Sequence, residues 1–119
     1  MAQKENNIIP MIFDEAFYRK MATQKWRQQD YKKAAEYYEK VLELSPEDFD
    51  IQQHYAQCLV KLNIGKKAEH LFYENIVKDF HVAESFYELS QLNIELNEPN
   101  KAFLFGINYV ILSLSLIHI

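Results

Sequence analysis

The sequence predicts an all-α chain of stacked helix pairs, and three observations predict it. The segments DYKKAAEYYEK (30–40), IGKKAEHLFYE (64–74) and EPNKAFLFGIN (98–108) place Ala34, Ala68 and Ala102 at a constant interval of 34 residues. Around them apolar residues recur at three and four positions, the spacing of one helical face. Two Gly and three Pro in 119 residues leave little material for a turn-rich β fold, whereas Ala, Glu, Lys, Gln and Leu supply good helix formers.

Each element follows in order. Over 14–28 the apolar stripe is Phe17, Tyr18, Met21, Ala22 and Trp26, with Asp14 as N-cap and Phe13 positioned to staple against Tyr18. After a turn at QQD, Asp30 caps a second amphipathic helix over 31–44. Pro46 in SPED ends it, because proline disfavours helical geometry at Ser45 and donates no backbone hydrogen bond. The plan recurs over 48–62, a turn at NIG and 65–78, then over 82–96, a turn at NEP and 99 onward. Pro99 suits a first helical position, where its missing N–H costs nothing. The expected organisation is therefore an arm over 1–13 and three antiparallel helix pairs at about 15–48, 49–82 and 83–113.

The packing follows from the same register. Ala22, Ala56 and Ser90 coincide when the chain is shifted by 34 residues, and small side chains there let the two helices of a pair approach closely. Met21, Tyr55 and Leu89 coincide as well, as do Tyr37, Leu71 and Phe105, which fill the space between neighbouring pairs. An isolated pair leaves those faces wet, so stacking is needed for stability.

On these residues the chain resembles the tetratricopeptide repeat family, whose 34-residue unit carries a bulky residue, Leu with a small residue, then Ala, an aromatic and Pro. The unit EAFYRKMATQKWRQQDYKKAAEYYEKVLELSPED matches it without a gap through Tyr18, Met21, Ala22, Tyr31, Ala34, Tyr38 and Pro46. Departures from the pattern are Lys25 and Gly106 for aromatics, Gln52 for a bulky residue and Phe80 for Pro. The resemblance implies a right-handed α-solenoid and a non-catalytic scaffold whose first helices line a concave groove for a protein or peptide segment. Carried over residue by residue, the groove is Arg19, Lys20, Thr23, Trp26 and Arg27, then Asp50, Gln53, His54, Gln57 and Lys61, then Glu84, Tyr87, Glu88, Gln91 and Glu95. It begins basic and ends acidic, which favours a mixed-charge segment in one orientation. Relatives that clamp a chaperone's C-terminal carboxylate use Lys, Asn, Asn, Lys and Arg. Arg19, Thr23, His54, Glu84 and Glu88 stand there instead, and two carboxylates repel such a ligand. Two alternatives stay open: a bacterial type III secretion class II chaperone, which also has three units, and the regulatory region of a larger enzyme.

Composition narrows the function further. A net charge of −4 lacks the concentrated basic face that nucleic acid requires. Cys58 is the only cysteine, which excludes an internal disulfide and suits a reducing, cytoplasmic setting; its expected place is a buried helix position. His54 and Cys58 form an i, i+4 pair, but a structural zinc needs a second pair that the sequence does not offer. Neither a Gly-rich phosphate loop nor a Ser, His and acid signature is present, so neither cofactor nor catalytic activity is expected. Glu36, Glu39, Glu43 and Glu47 read as a solvated helix face.

The apolar stretch over 102–119 approaches the ~18 residues of a membrane span. Its last six residues, LSLIHI, resemble the in-frame translation of a transposase adaptor used in preparing sequencing libraries. The expectation is that 114–119 are not native and that the third unit is cut short near Ser113. The remaining 102–113 is then too short to span and contains Gly106 and Asn108, so it reads as a repeat helix whose bare face favours self-association.

Overall fold

The computed structural model describes residues 2–117, with side chains over 15–115. It contains α1 (Ala2–Arg27), α2 (Tyr31–Leu44), α3 (Phe49–Lys61), α4 (Gly65–Val77), α5 (Val82–Glu95) and α6 (Pro99–Ile117). No strand occurs among the described residues. Each helix packs chiefly on its neighbours in sequence, and the resulting row of pairs extends 58 × 33 × 23 Å. His118 and Ile119, the end of the adaptor-like tail, lie outside the described residues.

Helix ends form where the local chemistry asks for them. The Asp30 side chain accepts a hydrogen bond from the Lys33 N–H at 3.2 Å, and Asp48 accepts one from Ile51 at 3.1 Å, so both cap as N-terminal acceptors should. Inside each pair the chain turns through a left-handed residue: Gln29, Asn63 and Asn97 have φ of 60°, 62° and 60°. The residue after each closes the turn by donating back five positions, Asp30 to Lys25, Ile64 to Leu59 and Glu98 to Asn93, at 2.8–2.9 Å. The repeat is thus present in the backbone as well as in the side chains.

Close packing falls at the predicted small residues. Ala22, Ala34, Ala56 and Ala68 are fully buried and Ala102 nearly so. At the third crossing the Ser90 hydroxyl donates to the Ala102 carbonyl at 3.0 Å. Gly106 lies beside it, and a Cβ there would come to 3.2 Å from Ser90 Oγ, so a larger residue would require that hydroxyl to give by a few tenths of an ångström. Tyr37, Leu71 and Phe105 are partly buried against the core, as expected of residues between pairs.

The first helix departs from expectation. Helical backbone runs on from Ala2 through Asp14, so no N-terminus forms at Asp14. An internal Asp costs less than about 1 kcal/mol, so Asp14 does not stop the helix, which also runs through Asn6, Asn7 and Pro10 against their helix propensity. The expected staple of Phe13 on Tyr18 involves a side chain outside those described.

Candidate partner groove

Of the five α1 residues assigned to the groove, four share one solvent-facing side. Arg19, Lys20, Thr23 and Arg27 line a shallow hollow together with Gln24 and Gln28. Arg19 is already engaged, since its guanidinium bonds Glu15 one turn earlier and Asp48 at the start of α3. The Asp48 bond leads in holding the arginine charge, and the Ser45 hydroxyl bond leads in holding Glu15 below the usual carboxylate range. This ion cluster ties the first unit to the second and leaves Lys20 and Arg27 as the accessible basic charges. Trp26 is half-buried, its ring edge-on to Tyr31 at 5.1 Å, and belongs to the core margin.

On α3 the two neighbouring glutamines face inward. Gln53 is only 2% exposed, and its side-chain oxygen accepts from Asn75 Nδ2 at 2.7 Å and from Ser85 Oγ at 3.0 Å. It therefore joins α3, α4 and α5 internally instead of facing a partner. The physical reason is depth: Gln53 sits where the pairs abut, and Asn75 offers it a buried amide. Gln52, one residue earlier, donates to Asn75 Oδ1 at 2.9 Å and to Glu74 at 2.8 Å, which explains a glutamine where the repeat pattern has a bulky apolar residue. His54 is exposed and stacks on Tyr38 with ring centroids 5.9 Å apart. Cys58 is fully buried, and burial pushes its thiol up to about 12, so the thiolate that a metal or a reaction would need does not form near neutrality.

The remaining residues of α3 and α5 meet. Lys61 Nζ lies 6.0 Å from the centre of the Tyr31 ring, while its charge also acts on Glu88. Glu84, Tyr87, Glu88 and Gln57 line a cleft of about 260 Å³, closed on one side by Tyr109 of α6. Burial raises the Glu88 carboxyl above its ordinary value and the Glu84 charge adds to that; hydrogen bonding from Gln57 and the Lys61 charge only partly oppose it. Gln91 and Glu95 continue the exposed face of α5. At the mouth, His81 bridges Asp50 of α3 and Glu84 of α5. Burial disfavours its charged ring, but those two carboxylates outweigh burial and raise its pKa.

Residues 25–72, from the last turn of α1 into α4, match a family model described as Tetratricopeptide repeat. Among solved structures, the crystal structure of MamA protein superposes with a TM-score of 0.73 at 20% sequence identity, over 84% of this chain and 55% of that one. The chain thus spans little more than half the length of that structure, and the likeness is one of fold. No curated protein sequence matches the chain. Within the tetratricopeptide frame, Phe80 occupies the position of the missing repeat proline. It stacks on Phe49 at 5.1 Å, so an aromatic contact joins the second unit's start to its end.

Two features of the cleft lay beyond sequence reasoning. Tyr109 sits on a second helix of a pair, which the register assigns to the convex side, and reaches the cleft by packing on Tyr87 at 5.3 Å. His81 lies at the end of the second unit, next to Phe80, and would have been found only by asking what replaces a proline-ended turn.

Proposed function

We propose that the chain is a non-catalytic scaffold that holds a partner segment across the exposed faces of α1, α3 and α5. The observation that carries this reading is the gradient of charge along those faces. Lys20 and Arg27 stand at one end, Lys61 and Gln57 in the middle, and Glu84, Glu88 and Glu95 at the other. A partner with an acidic stretch followed by a basic one matches it in a single orientation. Gln53 and Trp26 contribute architecture in this reading, not contact. Tetratricopeptide folds typically mediate binding between proteins, and a lone buried cysteine suits the reducing conditions of the cytoplasm.

The test uses peptides selected from a random display library on the 119-residue chain. Reversing Lys20→Glu with Arg27→Glu should slow association of the selected peptides and reduce its salt dependence. Glu36→Lys with Glu43→Lys on α2 is the control; Glu39 is unsuitable because its carboxylate accepts from the Tyr55 hydroxyl at 2.7 Å. Equal losses in both variants would show that net charge alone matters. Full affinity in the groove variant would place binding elsewhere.

A second surface supports self-association. Ser90, Ile94, Ala102, Phe103, Ile107 and Val110 border an apolar groove of about 610 Å³ between α5 and α6, and we propose that it meets the same face of a second copy.

A further inference from the structure

The cleft at the acidic end of the groove has a chemistry more specific than negative charge. Glu84 and Glu88 project from one face of α5, a helical turn apart. The rings of Tyr87 and Tyr109 stand beside them, their centroids 5.3 Å apart and their planes at 56°. Gln57 closes the α3 side. Lys61, the nearest candidate to fill the cleft from within, has its ammonium drawn toward the Tyr31 ring of the preceding unit. Among the described residues no cation lies within ion-pairing distance of Glu88, and Glu84 is shared only with His81.

We propose that this cleft is a receptor for an arginine side chain of the partner segment. A guanidinium is planar, so it lies against a tyrosine face, and its fork of N–H donors reaches two carboxylates at once. An ammonium is a compact, strongly hydrated point charge that exploits neither the flat rings nor the paired acceptors as well. The size agrees, because a cleft of about 260 Å³ admits one side chain and not a helix. The half-buried Glu88, whose carboxyl stands above its ordinary value through burial, gains a counter-ion when the guanidinium enters. This inference rests on the groove reading and specifies which residue of the partner enters the acidic end.

The probe is the peptide acetyl-Gly-Ala-Arg-Ala-Gly-amide, titrated into the isotopically labelled 119-residue chain while the Tyr87 and Tyr109 ring signals are followed by NMR. Counterparts carry lysine, or citrulline, which keeps the shape of arginine without its charge. The arginine peptide should shift both rings saturably. Citrulline should bind at least about tenfold more weakly and lysine about threefold more weakly. Glu88→Gln should lower arginine affinity about tenfold with an unchanged circular-dichroism spectrum, and Tyr109→Leu should lower it with the carboxylates intact. Equal binding of citrulline or of lysine would overturn the proposal, as would shifts that survive both substitutions. If the arginine peptide fails while library-selected peptides still lose affinity on Lys20→Glu with Arg27→Glu, the arginine receptor falls and the groove stands. If neither class binds, both fall.

Discussion

At the scale of single residues, the most consequential side chain is one that the repeat pattern does not mark. Asn75 is fully buried; it donates to Gln53 at 2.7 Å and to the Phe49 carbonyl at 3.1 Å, and accepts from Gln52 at 2.9 Å. Asn75→Ala would remove one partner each from Gln52, Gln53 and the Phe49 carbonyl, leaving Gln52 only to Glu74 and Leu71 and Gln53 only to Ser85. The expected loss is about 1–3 kcal/mol, seen as a lower denaturation midpoint, because three hydrogen bonds to a buried amide are lost and the space it filled is emptied. An unchanged midpoint would mean that water replaces the amide and that the network is not closed. Sequence reading placed Gln53 in the groove because helical periodicity gives the direction of a side chain but not its depth. Asn75 is distant in sequence, and nothing local pairs it with Gln52 or Gln53. The exposed charges, by contrast, were legible: Lys20, Arg27, Lys61, Glu84 and Glu95 stand at solvent where their polarity alone puts them.

At the scale of elements, the small residues decide how close helices come. Ala68 is fully buried on α4, which packs on α3 before it and α5 after it. Ala68→Leu should therefore overpack that contact and destabilise by roughly 1–3 kcal/mol, measured by chemical denaturation. A variant as stable as the parent would contradict the 34-residue register. That register made five of the six helices legible to within a residue or two, because caps such as Asp30 and Asp48 and breakers such as Pro46 and Pro99 act locally. The start of α1 was not legible, since Asp14 carries the signature of a cap and Asn6, Asn7 and Pro10 before it favour a break that the backbone does not make. The turns were legible as turns, but not their conformation. Asn63 and Asn97 tolerate positive φ through their short polar side chains, whereas Gln29 adopts it without that help, held by the same closing hydrogen bond.

At the scale of the whole molecule, stacking in a row leaves two ends that a globule would not have. The radius of gyration, 16.9 Å, exceeds the ~13.5 Å of a compact chain of this length, because contacts run along the row and do not close on themselves. One end is α6, where Phe103, Leu104, Val110, Ile111 and Leu114 are each more than half exposed, and Ile107 adds to the same surface. Over 102–117 this helix carries no charged side chain, so nothing on it opposes contact with another apolar face. An unbroken patch of that kind is unusual on a monomer and drives association. The 119-residue chain should accordingly show a concentration-dependent increase in sedimentation coefficient and should bind a hydrophobic dye. Phe103→Glu with Ile111→Lys should abolish both while leaving helicity unchanged, because both side chains point away from the core. A parent chain that sediments as a monomer at every concentration and binds no dye would show that the α6 face is satisfied within one copy, and a double variant that still associates would move the contact to the α1 end.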